Sequence, residues 1–312
     1  MRIAILGAGA MGAIFGSALA RAGSEVIFFD KRPDVVAAIA GRGLILEGVS
    51  GETTACYPAT TSAAELGQVD AAIVLVDSNA TAEITGVAAR CLKANGFALT
   101  LQNGIGNWET LAAGLGTDRV LAGSTYNSGA NLGAGHARHT DAGPTVIGKI
   151  DGRLSGRAHD IARLFHAAGL PVEVSDNVQG HIWSKFVHNC AINPVSAATG
   201  LRPFEIAATP ASTALLDRLL DEILAVVAAA GIRLPEDDPR RSIHAHCRER
   251  SNRPSMLQHI ESGRHTEIDA LNGALVQRGQ ALGIATPYNE AIVLVVKSLE
   301  AAHQRLNPAT SI

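Results

Sequence analysis

Short, nearly uninterrupted apolar runs alternate with longer stretches of helical periodicity through the first half of the chain. Strands are predicted over residues 2–6, 25–29, 71–76 and 97–102, and helices over 11–21, 33–40, 81–92 and 108–115. Strands that are apolar at successive positions have no solvated face, so the pattern predicts a parallel sheet covered by helices on both sides. From about residue 119 to 148 the texture becomes rich in Gly, Thr, Ser and His, with β-like segments expected to extend that sheet. A helix over 154–168 and a short strand over 171–174 would close this domain. Beyond Asp176 the periodicity is almost wholly helical, over 178–193, 211–230, 256–262, 267–282 and 289–302. Residues 234–241 read as a loop between helices. Pro194 lacks an N–H and is expected to end or bend its helix just past Asn193. The fold class is therefore α/β: a doubly wound domain over 1–176, followed by an all-helical domain over 177–312.

Composition narrows the function classes without naming a chemistry. The chain carries 26 Lys+Arg against 29 Asp+Glu, with no dense basic run, which argues against nucleic acid or an anionic membrane surface as partner. The longest apolar run of the second half, residues 223–230, falls far short of the roughly 18 residues that suggest a membrane span. The apolar residues 3–6 are too few for a signal-peptide core. Cys56, Cys91, Cys190 and Cys247 are scattered with no C-x-x-C pair, as expected of buried thiols in a reducing cytoplasm. His244, His246 and Cys247 match no zinc-ligand spacing, so a surface helix and no metal are expected there.

Residues 7–12 read GAGAMG, the G-x-G-x-x-G pattern, between a predicted strand and a predicted helix. Gly7 allows the tight turn, Gly9 lets backbone approach a pyrophosphate, and Gly12 lets helix and strand pack closely. Ala10 and Met11 then begin a helix whose free N–H groups and positive dipole end suit phosphates. A glycine turn serving strand–helix packing alone is the other reading. At the end of the second strand, Asp30 is placed to accept hydrogen bonds from an adenosine ribose, which favours NAD. Lys31 and Arg32 beside it suit a 2′-phosphate instead, so the cofactor stays open on these residues.

Three further segments suggest a substrate site. Residues 101–106, LQNGIG, follow a strand and put Asn103 where ligands gather in open α/β sheets, although Asn-Gly is also a common turn. Lys185, Asn189 and Asn193 recur every four residues and share one face of an otherwise apolar helix. Such a stripe needs hydrogen-bond partners, either a neighbouring helix or a ligand. Ser255 with Gln258 fits a capping box, and a hydroxyl at a helix start also suits a carboxylate. Thr266, Glu267 and Asp269 suit the acid-rich first turn of the next helix.

Together GAGAMG, QNGIGN, KFVHNCAINP and PSMLQHIESGRHTEIDALNG resemble the ketopantoate reductase family along the whole chain. The resemblance implies a Rossmann-type domain plus a helical domain, with the site in the cleft. It further implies hydride transfer from NADPH to the 2-keto carbon of ketopantoate, giving pantoate for pantothenate and coenzyme A synthesis. Lys185 matches the catalytic lysine, expected to act as general acid, and Glu267 the essential glutamate. Asn103, Asn189, Asn193 and Ser255 match positions that bind substrate or the junction of substrate and cofactor. Two departures bear on the cofactor. Asp30 stands where a small or apolar residue is usual, and Asn79 lies near the place of a second basic residue. An added acid and a missing cation weaken the hold on a 2′-phosphate, so dual or NADH use is expected beside the NADPH default. Reduction of another branched 2-keto acid, or non-catalytic regulation by a bound dinucleotide, are the competing functions, and a homodimer is left open.

Overall fold

The computed structural model describes residues 1–306 and divides into two compact units. One comprises Met1–Gln102 with Gly106–Gln179, and the other Asn103–Ile105 with the chain from Gly180 onward.

The first unit opens with β1 (Arg2–Leu6), α1 (Ala10–Arg21), β2 (Glu25–Phe29) and α2 (Pro33–Gly41). Then come β3 (Leu44–Gly48), β4 (Thr53–Ala55), β5 (Ala59–Thr60), β6 (Val69–Val74), α3 (Thr81–Cys91) and β7 (Leu92–Thr100). It continues with α4 (Asn107–Leu115), β8 (Val120–Thr125), β9 (Ser128–Gly133), β10 (His136–Asp141) and β11 (Thr145–Gly148). Finally α5 (Gly156–Ala167) and β12 (Val172–Val174) complete it. Eight strands form one sheet in the order β12-β11-β8-β7-β6-β1-β2-β5, parallel except where β11 runs against β8. Ile3 to Leu6 and Ala71 to Val74 are fully buried, because helices cover both faces. Ile3, Ile5 and Phe28 pack with Phe15 of α1 and Phe165 of α5, while Ala4, Leu6 and Val74 pack with Ile84 of α3 and Leu111 of α4. Consecutive strands depart from β1 in opposite directions, so the crevice at its carboxyl end is the topological switch point.

The Gly/Thr/Ser/His-rich stretch corrects the sequence expectation. β8 and β11 do extend the main sheet, but β9 and β10 leave it and form a second sheet, β4-β3-β10-β9. The reason is polarity. β9 is exposed at nearly every position, and β10 buries only Ala137 and His139, whereas the main sheet requires both faces to be dry.

The second unit consists of α6 (Val178–Thr199, which begins just before the boundary), α7 (Pro203–Ala208), α8 (Pro210–Ala229) and α9 (Pro239–Glu249). After them come α10 (Ser255–Glu261), a wide π turn at Asp269–Gly273, α11 (Ala274–Leu282) and α12 (Pro287–Leu306). Their apolar faces enclose Trp183, Phe186, Cys190, Leu219, Ile223, Leu275 and Val296. No described helix is long and apolar enough to cross a membrane.

Several local expectations are corrected here, and Cys56, expected to be a buried thiol, is exposed. Pro194 does not end α6, which runs on to Thr199. The proline leaves the Cys190 carbonyl without its helical donor, and the side-chain amide of Asn272 supplies one at 2.9 Å. The 234–241 loop ends early, because the Asp238 carboxylate accepts from Arg241 N at 2.9 Å and starts α9 at Pro239. The helix carrying His244, His246 and Cys247 is not purely superficial, since Ile243 and Cys247 are fully buried. Ser255 and Gln258 form no capping box: Gln258 Nε2 donates to the Arg253 carbonyl instead, at 2.8 Å.

Candidate active site

In the first unit, the chain leaves β1 through Gly7, whose φ of +104° is open to glycine and strained for other residues. Gly7 N donates to the Phe29 carbonyl at 2.9 Å, and Leu75 N donates to the Leu6 carbonyl at 2.8 Å, so the turn is pinned between β2 and the end of β6. A Cβ on Gly12 would press on the Gly7 carbonyl oxygen, whereas one on Gly9 would meet only open space. Gly9 precedes α1, and no side chain caps its first turn. The N–H groups of Ala10, Met11 and Gly12 therefore remain available, with the helix dipole behind them, to an anion beside Gly9. These donors fit a dinucleotide pyrophosphate.

Asp30 is tied to the same turn. Its carboxylate accepts from Ala8 N at 2.9 Å and from Arg32 N at 3.0 Å, which fixes a negative charge at the carboxyl end of β2. Arg32 is turned to Asp34, at 2.7 Å, and holds that carboxyl below its ordinary range. Lys31 is exposed beside them, and Asn79 is exposed in the short turn after β6. A polar network braces the neighbouring strand ends and had no signal in the sequence reading. Gln102 Nε2 donates to the Val76 carbonyl at 3.0 Å and to Thr81 Oγ1 at 2.9 Å, and Thr81 donates to Asn107 at 2.8 Å.

In the second unit, α6 carries Lys185, Asn189 and Asn193 along one face; Lys185 and Asn189 are half-buried and Asn193 is 8% exposed. Burial pushes the Lys185 ammonium down to about 8, against the attraction of Glu267, which holds it up. Asn103 Nδ2 donates to Glu267 Oε2 at 3.2 Å. The fold thus brings together Lys185, Glu267 and Asn103, from three segments far apart in sequence. Ser255 lies exposed at the first residue of α10. His188, one turn beyond Lys185, stands edge-on to His246 with ring centroids 5.3 Å apart. Burial, with repulsion from His246, pushes His188 down to about 4, so it is neutral beside the lysine at physiological pH. Its place on the Lys185 turn of α6 was visible in the sequence, but its partner was not.

A lysine that loses its proton near pH 8 while held by a carboxylate is a proton donor matched to neutral pH. Next to it, half-buried and buried amides offer both donors and acceptors for hydroxyl and carbonyl oxygens.

Comparison with known proteins identifies the family. Residues 3–152 match the family model described as ketopantoate reductase PanE/ApbA, and residues 177–300 match its C-terminal counterpart. A 2-dehydropantoate 2-reductase of Archaeoglobus fulgidus is 33% identical over 301 residues, covering 96% of this chain and 98% of the relative. The crystal structure of a PanE/ApbA family ketopantoate reductase from Ralstonia eutropha superposes with a TM-score of 0.90 at 35% identity, covering 97% of this chain and 100% of the other. D-mandelate dehydrogenase, solved with NADH and anilino(oxo)acetate, superposes with a TM-score of 0.89 at 26% identity, covering 97% and 99%.

Proposed function

The chain belongs to the ketopantoate reductase family, and on that footing we propose that it reduces ketopantoate to pantoate in the cytoplasm, for pantothenate and coenzyme A synthesis. The observation that carries this reading is the group Lys185–Glu267–Asn103 on the helical unit. Residues 1–176 are assigned to the dinucleotide and 177–312 to the keto acid. When bound, the reduced nicotinamide supplies the hydride.

Every other part of the reaction falls to side chains and backbone. The N–H groups from Gly9 to Gly12 hold the pyrophosphate, and Asp30 accepts from the ribose hydroxyls. As negative charge develops on the substrate carbonyl oxygen, the Lys185 ammonium stabilises it and then gives it a proton. Glu267 keeps Lys185 charged and in place. Asn103 fixes the carbonyl against the nicotinamide, Asn189 and Asn193 bind the substrate hydroxyl, and Ser255 holds the carboxylate.

For the cofactor, we propose that NADH is used at least as well as NADPH. A 2′-phosphate would approach the carboxylate of Asp30, whose two backbone hydrogen bonds keep it from turning away. Such repulsion is worth about 1–3 kcal/mol per charge pair at partly desolvated distances, and Lys31 offsets part of it. Steady-state reduction of ketopantoate with both cofactors is the test. Comparable kcat/KM values are expected, and Asp30→Ala should raise kcat/KM for NADPH about tenfold. A strong wild-type preference for NADPH would overturn this assignment.

The similarity to D-mandelate dehydrogenase favours a second reading, reduction of another 2-keto acid by the same groups. A panel of branched, linear and aryl 2-keto acids separates the two. Ketopantoate should be preferred clearly, and equal activity on simpler acids would favour the second reading.

A further inference from the structure

We propose that Asn272 is a positioning residue that clamps the segment carrying Glu267 onto the helix carrying Lys185. The inference rests on the proposed function for its catalytic consequence, but its structural basis is independent of it. Asn272 is fully buried, and its Nδ2 donates to the Cys190 carbonyl on α6 at 2.9 Å. That carbonyl has no helical donor because residue 194 is proline, and Cys190 is itself sealed from water. On its own side, Asn272 lies in the wide turn that follows Glu267. Leu271 N donates to the Glu267 carbonyl at 2.9 Å and Gly273 N to the Ile268 carbonyl at 2.9 Å, so the backbone from 267 to 273 moves as one piece. The one-residue widening of a π turn re-aims side chains relative to an ordinary helix, a device common at functional sites.

The amide is also held from behind. Asn272 Nδ2 donates to Asn289 Oδ1 at 2.9 Å, and Asn289 Nδ2 donates to Glu222 of α8 at 2.7 Å. Glu222 in turn accepts Tyr288 N and Asn289 N, both at 2.9 Å, at the start of α12. Two helices thus meet at one side chain that spans the gap between the Glu267 segment and α6, and α8 braces it through Asn289. If it only satisfied an orphaned carbonyl, any donor to Cys190 would serve equally well. As a clamp, it also sets how closely the Glu267 carboxylate approaches the Lys185 ammonium.

Pro194→Ala separates these roles, because the substitution returns a helical N–H to the Cys190 carbonyl, which has lone pairs for both donors. Asn272→Ala alone should lower the thermal midpoint, and adding Pro194→Ala should restore much of it. The double variant should nevertheless show a lower Lys185 pKa, read by trace acetic anhydride labelling against pH with mass spectrometry. The basic limb of its kcat profile should move down with it, and kcat should fall by about tenfold to hundredfold, as small misplacements cost at this level. Pro194→Ala alone should leave both unchanged. A double variant with restored stability and an unmoved Lys185 titration would overturn the proposal. Should the alanine variants not fold, Asn272→Ser, which keeps a hydroxyl too short to bridge, carries the same measurement. The labelling reads Lys185 whether or not it is catalytic, so a failure of the functional reading stays distinct from a failure of the clamp.

Discussion

Lys185→Ala is expected to lower kcat for ketopantoate reduction by about 10²- to 10⁴-fold, the range for a lost general acid. Dinucleotide binding, followed by quenching of protein fluorescence, should persist, because the glycine turn belongs to the other unit. The pH dependence gives the sign. As the proposed general acid Lys185 acts in its protonated form, and burial lowers its pKa to about 8, so wild-type kcat for reduction is expected to fall above that point. Glu267→Gln removes the attraction that holds the pKa up and leaves burial to act alone. The falling limb should therefore move to lower pH in that variant. Near-normal turnover in Lys185→Ala, or a limb unmoved by Glu267→Gln, would remove the pair from the mechanism.

Gly12→Ala should damage both fold and cofactor binding. Its Cβ would press on the Gly7 carbonyl oxygen, and Gly7 is fixed between Phe29 and the end of β6, so neither backbone can yield. Overpacking of this kind costs about 1–3 kcal/mol or more. The same displacement would shift the free N–H groups of α1 and raise the dinucleotide dissociation constant by about tenfold to hundredfold. Gly9→Ala is the informative contrast. Its Cβ meets nothing in the protein, so the melting temperature should hold while binding weakens. Calorimetry and a fluorescence titration on both variants check the split; equal binding by Gly9→Ala would place the pyrophosphate elsewhere.

The strands β1 and β2 coincide with their sequence ranges, because after the leading Arg2 and Glu25 they are apolar at every position, which admits only a doubly covered sheet. The second sheet escaped the same reading. It pairs β3 with β10, far apart in the chain, and buries one face, so no local run announces it. The Lys185–Asn189–Asn193 stripe was visible as spacing on one helix. The approach of Glu267 and Asn103 to Lys185 was not, since periodicity says nothing about contacts between distant segments; only the resemblance brought Glu267 forward. Pro194 misled about the helix end for the same reason. A proline breaks a helix unless something remote answers the carbonyl it strands, and here the answer is Asn272.

That pairing of Pro194 with Asn272 also imposes a direction on sequence drift. Replacing the proline first restores a backbone donor, and the helix keeps its hydrogen bonds whatever follows at residue 272. Losing the asparagine first leaves a sealed carbonyl with no donor, at a cost of about 1–3 kcal/mol. Lineages descended from such a chain can therefore lose the proline with the asparagine still in place, but not the asparagine with the proline still in place. Among relatives, asparagine without proline should be found, and proline without a donor at the other position should be rare.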